Sequence, residues 1–243
     1  MSAGSGGINT GSLETGEASA VPGQITLTTS NGGNITAQNL AIRNGWGHAE
    51  INVNASGDLT VNGDVAVGRD APIQNVPSGA DAEAIVNLSA GNNVVLEGAV
   101  TASSHGANPA ALGGLTKSYV GIFGDTNTSG TGNVTINGNL SAYAVSAEGG
   151  NSNATVEVGT PNSVIFGPSA AMPLADGDSG EVHVESYTSI RQEISGDGAE
   201  IIISQALVQA QPDFGSTHMG SSLTGNVLAT DGLENPTAAL GSG

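Results

Sequence analysis

The chain has no cysteine, and only 4 of its 243 residues are Lys or Arg. Aromatic residues make up 3 % and charged residues 11 %, less than half the charged share of an ordinary soluble domain. Each shortage excludes something. Without thiols there is neither a disulfide scaffold nor a zinc finger. Four scattered cations cannot neutralise a run of phosphates, so nucleic acid is not an expected partner. Apolar runs stop after about four residues, far short of a spanning helix, and no membrane insertion is expected. Gly, Asn, Ser and Thr stand where the Leu, Lys and Glu of a helical bundle would be.

Gly is abundant, at 38 residues, and 22 Asp and Glu give a formal net charge of −18. Glycine, serine and net charge all favour disorder. Against this, 37 % of the chain is hydrophobic, set in short strings that alternate apolar with polar. Such strings predict half-buried β-strands in a folded, acidic, extracellular type of protein.

The strings repeat. Residues 51–67 align with 86–102 at a shift of 35, placing Ile51, Val53, Ala55, Leu59, Val61, Gly63, Val65 and Val67 on Val86, Leu88, Ala90, Val94, Leu96, Gly98, Val100 and Ala102. The core Leu59-x-Val61-x-Gly63-x-Val65-x-Val67 returns as Val134-x-Ile136-x-Gly138-x-Leu140-x-Ala142. Looser copies are Val164-x-Phe166-x-Pro168-x-Ala170-x-Met172 and Ile35-x-Ala37-x-Asn39-x-Ala41, with a later start at Val182-x-Val184 or Ile190. The spacing averages about 32 residues, and units that bury one face only must stack to share a core.

The economical solution is an all-β, right-handed parallel β-helix of about six to eight coils with variable loops, on the order of 30–40 Å long. Leu59, Val61, Val94, Leu96, Val134 and Ile136 then point inward as core ladders. A β-sandwich would use Asn62-Gly63 and Asn137-Gly138 as hairpin turns, but they occupy equivalent places in successive repeats. The division expected is 1–22 as an extension or first coil, 23–205 as the β-helix, and 206–243 as a tail.

The strings Gly57-Asp-Leu-Thr-Val-Asn-Gly-Asp-Val, Gly132-Asn-Val-Thr-Ile-Asn-Gly-Asn-Leu and Gly33-Asn-Ile-Thr-Ala resemble the repeats of filamentous haemagglutinin-like bacterial adhesins, exported mostly by two-partner secretion. The resemblance covers roughly residues 23–196 and is one of repeat style. It implies a secreted β-helical shaft working in adhesion, aggregation or biofilm matrix at a bacterial cell surface, without catalysis or a cofactor. The chain departs from the family in its shortness, and residues 1–20 lack the basic start and apolar stretch of a signal peptide.

Candidate sites are few. Gly177-Asp-Ser-Gly180 is similar to the nucleophile segment of trypsin-like proteases, but His48, His105, His183 and His218 lie in no matching context, and a turn of small polar residues is the reading preferred. Asp176, Asp178 and Glu181 offer hard oxygen ligands and form a weak candidate Ca²⁺ site. Trp46 and His48 could stack on a sugar at the surface, although packing on a coil corner or a neighbouring subunit is preferred. Asn-x-Ser/Thr triplets begin at Asn34, Asn54, Asn87, Asn127, Asn133, Asn139 and Asn153, allowing glycosylation on an extracellular surface. A β-helical carbohydrate-active enzyme would need converging carboxylates, whereas Asp58, Asp64, Glu83 and Glu97 repeat as outward positions.

The ends carry the functional expectation. Nothing at the start reads as a capping helix, Ile201 and Ile203 lie in the most apolar run, and Asn226, Val227, Leu228, Ala229 and Thr230 form a strand-like string in the tail. Uncovered strand edges join other strands. Head-to-tail joining that does not close on itself gives a filament. The partner expected is the protein itself, together with a cell-surface or matrix polysaccharide; the other structural reading is a segment of a long adhesin shaft.

Overall fold

The computed structural model describes residues 1–16, 23–74, 81–106, 115–146, 151–171, 173–177, 179–186, 189–193 and 200–205. Strands are numbered along the chain. Sheet one contains, in spatial order, β1 (Ser2–Ala3), β4 (Gln24–Thr29), β7 (His48–Ala55), β11 (Ala82–Ala90), β14 (Leu115–Phe123), β17 (Asn151–Thr160) and β20 (Ser179–Ser186). Sheet two runs β2 (Ile8–Asn9), β5 (Ile35–Ala37), β8 (Leu59–Val61), β12 (Val94–Leu96), β15 (Val134–Ile136), β18 (Ser163–Phe166), β21 (Ser189–Glu193) and β22 (Glu200–Gln205). Sheet three runs β3 (Leu13–Thr15), β6 (Leu40–Ile42), β9 (Val65–Val67), β13 (Val100–Gly106), β16 (Leu140–Ser146) and β19 (Leu174–Asp176), with β10 (Ile73–Gln74) beside β13. Among the described residues there is no helix, hence none long and apolar enough to cross a membrane.

From β1 to β9 the chain visits the three sheets in strict rotation, and each of these strands pairs in parallel with its counterpart one winding later. This is the arrangement of a parallel β-solenoid. A polar–apolar alternation of period two turns one row of side chains inward on every strand. In β11 the buried positions are Ala82, Ala84, Val86, Leu88 and Ala90. The Asn62-Gly63 turn therefore does not close a hairpin: β8 before it belongs to sheet two and β9 after it to sheet three.

The repeat read from sequence is the strand register. Ile51 lies opposite Val86, Leu59 opposite Val94 and Val65 opposite Val100, all 35 residues apart. Leu59, Val94 and Val134 stack in one ladder, and Val61, Leu96 and Ile136 in the next. All six are buried. Two finer alignments differ. In the first looser copy the inward residues of β6 are Leu40 and Ile42, opposite Val65 and Val67, because the Gln38-Asn39 corner is one residue shorter than Asn62-Gly63-Asp64. In the last copy the strand opposite Ser141–Tyr143 is Leu174–Asp176, while Ala170 closes a turn through its N–H to the Gly167 carbonyl at 3.0 Å. Both candidates for the final repeat are strands of different sheets: Val182 continues from Val156 in sheet one, and Ile190 from Val164 in sheet two.

The interior changes character where sheet three gives way to sheet one of the next winding. There Ser104, Thr116, Ser118 and Ser152 are buried. The Ser104 and Ser118 hydroxyls lie 2.8 Å apart, and Ser118 donates to the Tyr143 carbonyl at 2.6 Å. Hydroxyls with such partners enter the core without the penalty of an unmade bond.

Candidate functional site: the ends and corners of the solenoid

The corners are tied by side chains. At the first, Asn34 Oδ1 accepts from the Asp58 N–H at 2.8 Å, Asp58 Oδ1 from the Asn93 N–H at 3.1 Å, Asn93 Oδ1 from the Asn133 N–H at 2.9 Å and Asn133 Oδ1 from the Ser163 N–H at 3.2 Å. At the second, Asn39 Oδ1 accepts from the Asp64 N–H and Asp64 Oδ1 from the Ala99 N–H, both at 2.9 Å. These bonds satisfy corner N–H groups that the sheets cannot reach. Sequence reasoning missed them, although the signal was there: Asn or Asp immediately precedes the first inward residue at Ile35, Leu59, Val94 and Val134. Asp58 and Asp64 thus hold windings together, and three of the Asn-x-Ser/Thr asparagines (Asn34, Asn133 and Asn139) accept backbone hydrogen bonds.

The amino-terminal end is an open face. Strands β1, β2 and β3 each pair on one side only among the described residues. Ile8 and Leu13 occupy the places of Ile35 and Leu40 in their ladders, yet they are half-buried where Ile35 and Leu40 are fully buried. No winding covers them among the described residues. Beside them Glu14 is held by two arginines of later windings: Arg69 Nη1 donates to Oε1 at 2.6 Å, and Arg43 donates to Oε2 through Nε at 3.1 Å and through Nη2. The hydrogen bonds from Arg69, then those from Arg43, lower the Glu14 pKa to about 2.

At the other end Val182 and Val184 stand in register with Val156 and Val158, which are buried. Val182 is nevertheless 42 % exposed, and Val184 and Ala175 are half-buried against the core. Sheet two ends differently: β22, which contains Ile201 and Ile203, folds back antiparallel on β21, with Ile201 opposite Gln192. These two isoleucines therefore belong to a strand paired within the chain. The tail string Asn226–Thr230 and Asp178 lie outside the described residues.

Of the Ca²⁺ candidates, Asp176 lies in sheet three and Glu181 in sheet one, both exposed; among the described residues no three His, Asp or Glu side chains are grouped to hold a metal. Ser179 of the protease-like segment opens strand β20. Trp46 is half-buried, and its backbone bridges in parallel to Gln74 of the next winding. His48 is exposed at the start of β7, with Nδ1 at 2.7 Å from Glu83 and Nε2 at 3.7 Å from Glu50.

Fold and ends together define a parallel β-solenoid in which, among the described residues, the ladders of sheets one and three end without a further winding over them. The chain matches none of the family models, curated proteins or solved structures with which it was compared.

Proposed function

We propose that this protein is a non-enzymatic structural and adhesive fibre subunit, secreted to a bacterial surface, whose solenoids stack head to tail into a filament for attachment or biofilm matrix. The winding is right-handed, as parallel crossover connections are, with six to eight coils. The observation that carries the reading is that, among the described residues, no further winding lies over the end ladder positions: Ile8 and Leu13 are only half-buried at one end, as Val184 is at the other, where Val182 is exposed. A second subunit stacked there would extend the same ladders and satisfy the open strand edges by β-augmentation. The likeness of the repeat to filamentous haemagglutinin-like adhesins supports the extracellular setting and a polysaccharide partner. Asp58 and Asp64 accept corner hydrogen bonds, a structural duty that supports the non-catalytic reading.

Subunits of net charge −18 repel, and salt shortens that repulsion to about 3 Å at 1 M. Sedimentation velocity is expected to show association that strengthens with NaCl or Ca²⁺. Pro at Val227 or Leu228 removes a backbone donor and is expected to block association if the tail is the connector, leaving the rod folded. The same open ends suit a segment of a long adhesin shaft, and a chain that stays monomeric at high salt and with Ca²⁺ would favour that reading.

A further inference from the structure

The outer face of sheet one bears a groove around Phe123. Two adjoining depressions, of ≈ 240 and ≈ 330 Å³, share Phe123, Gly159 and Glu185; one reaches Glu157 and His183, and the other turns over the corner to Pro161. Gly159 lies directly opposite Phe123 in register. A Cβ at Gly159 would sit 3.3 Å from Phe123 Cδ1, so the ring lies down on the bare strand instead of standing off the sheet. It remains 37 % exposed. On the same strand the Tyr119 hydroxyl donates to Glu157 at 2.7 Å, fixing that carboxylate beside the groove while leaving it lone pairs to spare.

We propose that this groove binds a neutral saccharide chain. This rests on the adhesive part of the function proposed above and gives it a site and a ligand class. A flat ring offers an apolar platform for the C–H face of a pyranose, and the flanking Glu157, Glu185 and His183 accept or exchange hydrogen bonds with its hydroxyls. The depression that turns over the corner is mainly apolar with a few polar groups, the usual make-up of a small-molecule site, and the one that reaches Glu157 and His183 is more polar. Among the described residues no Lys or Arg lines either depression, and at a net charge of −18 the chain repels anionic polymers. Repetition of the groove along a filament would convert weak single contacts into avidity.

Titration calorimetry of the full chain against neutral gluco-, galacto- and manno-hexasaccharides, with heparin as the anionic and chitosan oligomers as the cationic probe, tests this. At least one neutral hexasaccharide is expected to bind at millimolar affinity, weakened about tenfold or more by Phe123→Ala. Phe123→Leu and Glu185→Gln serve if Phe123→Ala fails to fold; both are expected to weaken binding with an unchanged thermal midpoint. No binding of any neutral oligomer, preferential binding of heparin or chitosan, or loss in Trp46→Ala with retention in Phe123→Ala would overturn the proposal. Filament formation by the same variants, followed by light scattering, separates the two readings. Fibres without saccharide binding sink only the groove, and saccharide binding without fibres sinks only the filament.

Discussion

Asp125 is 1 % exposed, in a corner excursion between β14 and β15. Burial alone would raise its pKa. The Ser129 hydroxyl and the N–H groups of Ser129, Gly130 and Gly132 more than offset that and hold it below the ordinary carboxylate value of 3.8. A depressed carboxylate stabilises the fold above its unfolded value, and that contribution is lost as pH falls through the folded one. Asp125→Asn imitates the protonated form. Its thermal midpoint is expected to lie below that of the parent at pH 7, and the gap to close as pH drops below about 4. The ladder residues make a simpler case. Leu59 has no exposed surface, and Leu59→Asp combines a lost side chain with an unpaired buried carboxylate. A loss of about 4 kcal/mol or more is expected in guanidinium unfolding; a loss under about 1 kcal/mol would place Leu59 outside the core.

At the scale of strands and corners, close approach decides which residues are allowed. At the second corner a Cβ on Gly138 would run into the Gly98 carbonyl of the preceding winding, whereas one on Gly11 meets nothing within 4 Å. Gly138→Ala is therefore expected to cost about 1–3 kcal/mol, and Gly11→Ala less than about 0.5 kcal/mol, both read from unfolding midpoints. Much of this level was legible. The 35-residue shift between Ile51–Val67 and Val86–Ala102 is the pairing register residue for residue, because inward apolar positions must stack on one another and their spacing survives in the sequence. The slip at Asn39-Leu40 was hidden because a corner one residue shorter preserves the alternation while shifting its phase. The corner bonds of Asn34, Asp58 and Asn93 left a different kind of trace: they join side chain to backbone, so the apolar pattern does not carry them, and the Asn or Asp before each first inward residue is their mark. The fold-back of β22 was invisible too, since Ile201-Ile-Ile203 has no alternation to show which way the strand runs. The groove at Phe123 and Gly159 depends on residues 36 apart that meet only through the register.

For the molecule as a whole, the three sheets impose one axis, and the state of the two ends determines whether that axis stops or continues. Among the described residues Ile8 and Leu13 at one end and Val182 at the other leave ladder positions open, while β22 lies antiparallel on the last parallel strand of sheet two. A joint between subunits would therefore engage sheets one and three most directly, through β1 with β20 and β3 with β19. The short edge strands at the amino-terminal end, two or three residues each, limit the hydrogen bonds available there. That favours association tuned by salt over constitutive aggregation. Electron microscopy of the purified full chain in 1 M NaCl tests the claim most directly. Unbranched filaments one solenoid wide, with an axial strand spacing of about 4.8 Å continuous through every joint, are the result this account predicts. A field of separate short rods at the same salt and concentration would contradict it.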